Sequence, residues 1–462
     1  MTDEIISVLA DYALDVDERI PPATAAEVRR KLIDVAGCAL AALHEPATHS
    51  ARRYVYGHGI PGPSLIWGTG IRTSPPLSAF ANGTAVRCLD FNDGYQSRRG
   101  DAGGHPSDVI PGLCGVAEMV GASGTQLASA IAIAYEVIVS LADAWRIKKH
   151  GVLDYVNAVA LGGVCGSARL LGLSNQELRE ALGISAVAHV GLWQARRDEV
   201  RMWKSVAAGN AMRNAIECCF MAKAGLRGPS RPFEGTAGLL HAAGDDDGLA
   251  WEMLTSLVEK LAPTKVCETN MKCWPVGQVA QTSVDVAVDL HRKLADPGEI
   301  REITIYTFSS AARSMCQPAN WHPKTRESAD HSLPYATVAA LYDGNLTSAT
   351  FHEKNIEHSP IQRRLDSMVR VEVLDEFSAQ YPEAQPAKIE VLLSDGRRVC
   401  AEARYPRGHA RNPNRVGDED YRQKFINCAQ PFLGPRTQSV LDVLWSLYSV
   451  RDVRDLTDAM VL

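Results

Sequence analysis

The chain has no C-x-x-C pair, no G-x-S-x-G serine elbow and no H-E-x-x-H helix. The first absence argues against structural zinc and cysteine-ligated iron–sulfur clusters, and the other two against serine hydrolases and zincins. Eleven cysteines, single apart from Cys218-Cys219, read as reduced and mostly buried thiols. A net positive charge is also absent. A net charge of −6 with no basic stripe argues against nucleic acid as a partner. The longest apolar stretch, Leu127–Ala142, contains Glu136 and falls short of the roughly 20 residues of a bilayer span. Met1-Thr2-Asp3-Glu4 is acidic where a secretory signal begins with positive charge. A cytoplasmic protein without a membrane partner is expected. Gly57-His58-Gly59-Ile60-Pro61-Gly62 matches G-x-G-x-x-G only literally, because Pro61 breaks the strand–turn–helix context that dinucleotide binding requires.

What is present is a chain of 462 residues, 46% hydrophobic, long enough for two or more domains. Alanine-rich stretches punctuated by glycine, such as Gln126–Ala144, Ala158–Leu171 and Gln176–Ala188, predict helix after helix up to about Leu261. Ser174 and Glu177 form a capping-box pattern. After Pro263 the texture changes. Arg301–Ser309, Val369–Leu374 and Ala387–Leu393 are rich in β-branched residues, and Ser394-Asp395-Gly396 turns the last of them into Arg398–Tyr405. Helices return at Phe425–Phe432 and Gln438–Ser449. The expected fold is mainly α with an α+β lid. Residues 1–265 form a helical domain completed by 407–462, and residues 266–406 form the lid.

Four polar segments carry candidate chemistry. Leu89–Tyr95 with Gly103–Asp108 brings Asp90, Asp93 and His105, with His105 held extended by Pro106. Ser107 or Asp108 is expected to cap the helix that follows, although Asp90 and Asp93 would also serve as plain turn residues. Lys204 opens a helix of small residues, where the dipole gives a cation no benefit; a carboxylate ligand explains it, as does snorkelling to solvent. Lys272, in Asn270–Gln278, lies at the junction of the two domains, a usual place for a ligand cleft. Trp321–Tyr335 packs two histidines, two prolines and four charged side chains into fifteen residues, among them Arg326, Asp330 and His331. It reads as an ordered polar loop beside a site, or as a loop held by its own ion pairs. Arg146, Lys148, Lys149, Arg196, Arg197 and Arg201 form either an anion-attracting mouth or a solvated face.

Cys88–Ala117, Met202–Gly238, Lys272–Ala280 and Trp321–Gly344 together resemble the MmgE/PrpD family in order and spacing. Gly225–Pro229 with Phe233-Glu234-Gly235 is similar to that family's G-x-x-G-P…E-G stretch, and Ala329–Tyr335 to its A-D-H-S-x-x-Y. The resemblance implies a homodimer that uses no metal or organic cofactor and removes a proton next to a carboxylate of a small polycarboxylate. It assigns acid/base work to His105, carboxylate clamping to Lys204 and Lys272, and orientation to Asp90 and Asp93.

Two departures bear on the reaction. Gly277, Gln278 and Val279 stand where dehydratases of the family carry glutamate and histidine, and Asp154-Tyr155 stands where Asp-His is common. Dehydration needs a proton donor for the leaving hydroxide, so the reading leans to an epimerase or isomerase. His105, Tyr155, Lys204 and Lys272 are its proton-transfer candidates, with Asp93 in the catalytic set. Asp90, Arg146, Lys149 and His150 belong to the substrate-binding set. The alternatives are a 2-methylcitrate dehydratase-like or cis-aconitate decarboxylase-like lyase and, more remotely, a non-catalytic carboxylate-binding dimer.

Overall fold

The computed structural model describes residues 3–100, 103–145, 152–198, 200–242, 254–255, 257 and 261–462. Helices dominate the N-terminal half, and local signals set their ends. Capping boxes start Gly124–Ala144 at Ser123/Gln126 and Asn175–Ala188 at Ser174/Glu177. Gly121 and Gly172, both left-handed, stop Ile110–Val120 and Val156–Leu171. Glycine also sets the closest helix crossing. A Cβ on Gly83 would lie 2.7 Å from the Cα of Gly209, so helices Pro75–Cys88 and Trp203–Lys223 cross backbone to backbone. Both of these helices deliver site residues.

Gly124–Ala144 is 21 residues, longer than its apolar stretch suggests and sufficient by length and composition to cross a membrane. Yet 94% of its apolar window is buried inside the domain, which makes it the central core helix.

The second half builds a four-stranded sheet in the order Val369–Val373, Ile300–Thr307, Ala387–Leu393, Arg398–Ala403. The first pair is parallel and the others antiparallel. The hairpin expected at Ser394-Asp395-Gly396 is present, with Gly396 at φ 84°. Helices Gln281–His291 and Leu333–Asp343 cover the sheet, and their apolar faces join its inner face in one core. A separate core spans the N-terminal helices and the C-terminal residues Phe425, Ala429, Leu441 and Leu456. The chain therefore returns to its first domain after forming the second.

Candidate active site

Helix Pro75–Cys88 ends at Leu89, and the next residue, Asp90, adopts a left-handed φ of 49°. Non-glycine residues occupy that region at a cost of order 1 kcal/mol, and aspartate tolerates it better than most. Here the strain is held by buried cations. Arg87 Nη1 lies 2.5 Å from Asp90 Oδ1, while Lys272 Nζ reaches the same oxygen at 2.7 Å and the Asp90 backbone oxygen at 2.9 Å. Lys204 Nζ, in the first turn of its helix, is 3.7 Å from Asp90 Oδ2 and 3.1 Å from Asp330 Oδ1.

Two imidazoles close the cluster. His105 Nε2 is 3.6 Å from Asp90 Oδ1, and His331 Nε2 is 3.4 Å from Oδ2. His105 Nδ1 sits 2.6 Å from the backbone oxygen of Asp93. A carbonyl can only accept, so Nδ1 carries the proton and Nε2 presents its lone pair toward Asp90. His331 Nδ1 contacts Asp330 Oδ1 at 2.5 Å and Lys204 Nζ at 3.2 Å. The site thus joins Arg87, Asp90, His105 and Lys204 of the helical domain to Lys272, Asp330 and His331 from beyond residue 266.

The charges interact strongly because all but His331 are buried. Burial acts to raise the Asp90 carboxyl, but Arg87, Lys204 and Lys272 outweigh it and hold the group well below the usual carboxylate range. Asp330 is likewise lowered, by Lys204 and His331 against its own burial. Burial, with Arg87 and Lys204 nearby, brings Lys272 down to about 8 despite its Asp90 partner. His105 falls well below an ordinary histidine through burial, Arg87 and Lys272, and His331 falls through burial and Lys204. The result is two neutral imidazoles beside three cations (Arg87, Lys204, Lys272) and two carboxylates (Asp90, Asp330). The excess positive charge suits an anionic ligand. Asp90 Oδ2 and Asp330 Oδ2 have no hydrogen-bond donor among the described residues.

Oxygen and nitrogen atoms of Asp90, Asp330 and His331 lie within 4.8 Å of one another, the spacing of a metal site. Lys204 Nζ, however, lies 3.1–3.7 Å from an atom of each. Its ammonium already supplies the charge on which these groups converge, and a divalent ion there would meet Lys204, Lys272 and Arg87. The donor set does not fit a metal.

Other candidates stand one layer back. The Asp93 carboxylate accepts from Ser107 N at 3.1 Å and Tyr135 Oη at 2.9 Å, so its backbone oxygen, not its side chain, meets His105. Tyr155 Oη donates to Asp108 and accepts from Arg87 Nε, while its ring packs edge-on against His105. Burial, countered by Arg87 and Tyr155, leaves Asp108 pushed up to about 6. Ser107 and Asp108 do not cap the helix as expected, because Asn92 donates to both side chains. Arg196 pairs with Asp154 and covers the Tyr155 ring, and Arg197 stacks on Trp193. Of the two alternatives, Arg197 is exposed as on a solvated face, while Arg196 is held in its ion pair with Asp154. Arg146, Lys148, Lys149 and His150 lie outside the described residues. Gln278 fills the space beside Gly94, where a Cβ would come 2.3 Å from its Oε1.

Three site members were weak or silent in the sequence. Arg87 carried only an i,i+3 relation to Asp90 at a helix end. Asp330 and His331 stood in a segment marked as polar, but nothing local distinguished them from loop ion pairs.

Residues 7–252 match the MmgE/PrpD N-terminal domain and residues 274–447 the MmgE/PrpD C-terminal domain. A 2-methylcitrate dehydratase of Salmonella typhi is 28% identical over 440 residues, covering 89% of this chain and 87% of that protein. The Homo sapiens cis-aconitate decarboxylase is 27% identical over 459 residues, 94% of this chain and 88% of that protein. The 2-methylcitrate dehydratase of Escherichia coli (strain K12) is 28% identical over 443 residues, 89% and 87% of the two chains.

Proposed function

The chain belongs to the MmgE/PrpD family, and on that premise we propose that it is a lyase of a small di- or tricarboxylate, working without metal or organic cofactor. The observation that carries this reading is the pair of imidazoles, His105 and His331, set at the two oxygens of Asp90 among Arg87, Lys204 and Lys272. Elimination of water next to a carboxylate needs a base for the α-proton, cations for the charge that builds on the carboxylate, and an acid for the leaving hydroxyl. His105 is neutral, with its lone pair on Nε2, and takes the proton. Lys272, Lys204 and Arg87 bind and stabilise the substrate carboxylates. His331, whose resting ring is neutral with its proton on Nδ1 toward Asp330, first binds a proton at Nε2. It then gives that proton to the departing oxygen, so that water leaves, an alkene remains and the proton taken by His105 passes to solvent.

This reading takes the lyase alternative in preference to the lean toward epimerisation. That lean rested on histidines missing after Trp274-Pro275 and at Tyr155, whereas His331 supplies a second imidazole from another segment. The relatives described above, a decarboxylase and dehydratases, are lyases as well. Epimerisation stays as a second reading on one observation: Gln278, a group that cannot carry a proton in water, occupies the place beside Gly94.

Proton NMR in D2O with citrate, 2-methylcitrate, cis-aconitate and amino-linked disuccinates tests both. A vinyl signal growing as a saturated substrate disappears establishes the hydro-lyase, and loss of cis-aconitate with release of CO2 the decarboxylase. Deuterium entering an α-carbon without a new alkene would overturn the lyase reading in favour of the epimerase.

A further inference from the structure

The loop Asp90–Asp93 is held by three of its carbonyl oxygens, each by a different element. Lys272 takes that of Asp90 at 2.9 Å, and His105 Nδ1 takes that of Asp93 at 2.6 Å. The carbonyl between them, that of Phe91, accepts from Lys424 Nζ at 2.7 Å. Lys424 lies on helix Asp418–Leu433, more than 300 residues along the chain, and its Nζ also stacks 3.9 Å from the centre of the Phe91 ring. Its counter-ion is Asp34, fully buried on helix Pro22–Ala41, at 2.6 Å. A second buried lysine, Lys31 on helix Pro22–Ala41, reaches Tyr421 Oη at 3.3 Å and Asp93 Oδ2 at 3.9 Å.

A buried ion pair loses much of its attraction to desolvation, and a packed apolar pair in its place is often as stable or more so. Stability therefore gives a weak account of Lys424 and Asp34. The hydrogen bond to Phe91 gives a better one. Asp90 is strained and Asn92 and Asp93 are committed to Ser107, Asp108 and Tyr135, so the loop has one conformation only if its carbonyls are fixed as well. We propose that Lys424 is a positioning residue for His105, fixing the loop through Phe91 so that the Asp93 carbonyl holds the imidazole with its proton on Nδ1. The inference rests on the reading of His105 as the base. Arg87, Asp90, Lys272 and Tyr155 face the same ring and set its charge preference, so Lys424 acts on tautomer and burial rather than by direct contact.

The test uses full-length protein labelled with 15N-histidine, with the His105 signal assigned by its loss in His105→Asn. Imidazole nitrogen shifts are followed against pH in wild type, Lys424→Met, Lys424→Arg and the double variant Lys424→Met/Asp34→Asn. The double variant removes both buried charges and so keeps the comparison alive if the single variant fails to fold. Wild type should show one tautomer, Nδ1–H, and should protonate only well below the range of an ordinary histidine. Without Lys424 the ring should populate both tautomers and titrate closer to an ordinary histidine, and Lys424→Arg should restore much of the wild-type pattern. On a substrate that turns over, kcat should fall at least ~10-fold with KM within ~3-fold. Unchanged tautomer and titration in the folded Lys424 variants overturn the inference whatever their thermal stability. If His105→Asn retains full turnover, the reading of His105 as base fails instead, and the two failures are distinguishable.

Discussion

Lys272 meets Asp90 twice, with Nζ 2.7 Å from Oδ1 and 2.9 Å from the backbone oxygen of the same residue. The lysine comes from the start of the second domain and the aspartate from the end of a helix in the first, so the contact ties the domains together where the charges gather. Burial brings Lys272 down to about 8. If its cation binds substrate, kcat/KM, which reports the free enzyme, falls as pH rises through about 8 and is fully present below it. Lys272→Arg keeps the charge at any working pH, so the alkaline limb should move up by at least about 1 unit even if the rate drops. Lys272→Ala should cost ~100-fold or more in turnover. A limb unchanged in the arginine variant would remove Lys272 as its origin.

His105→Asn keeps a hydrogen bond toward the Asp93 carbonyl while removing the basic nitrogen. Exchange of the substrate α-proton with D2O should slow at least ~100-fold. A loss of only a few-fold would leave the base to another group.

His331→Asn separates the two proton transfers. With His105 intact, α-proton exchange should persist within about 10-fold while elimination falls ~100-fold. Equal loss of both in the same NMR assay would show that His331 acts in the first step or in binding instead.

Gly104→Ala tests the packing behind the imidazole. A Cβ at Gly104 would lie 2.3 Å from Tyr155 Cδ2, so the ring that packs edge-on against His105 must move. Overpacking of this kind costs about 1–3 kcal/mol. A lowered melting temperature with reduced kcat is expected, and a variant with both unchanged would mean that Tyr155 shifts freely without affecting His105.

Much of the architecture was legible. Ser174 and Glu177 announced a helix start that the structure builds as a capping box, and Ser394-Asp395-Gly396 announced its hairpin. Such signals are local: a side chain satisfies a backbone group three residues away, or glycine supplies a left-handed φ. Element ends shifted where long-range partners intervene. The apolar pattern of Val279–Leu294 predicts a longer helix than the one formed, Gln281–His291, which follows a 3-10 turn at Gln278–Ala280 and a Gly277 amide that donates to the Asp330 carbonyl.

The site divides in the same way. The sequence by itself determined which segments hold polar groups that no core requires, and so pointed to Asp90, His105, Lys204, Lys272 and the Trp321–Tyr335 loop. Only the tertiary structure decided what those groups do to one another. It turned the Asp93 carboxylate toward Tyr135, set Tyr155 against Asp108, brought His331 to Asp90, and placed Arg87 and Lys424 where no local pattern singled them out. The reason is range. Capping and turn formation act over a few residues, whereas charge interaction and burial depend on distance through the fold, which residue spacing along the chain does not encode.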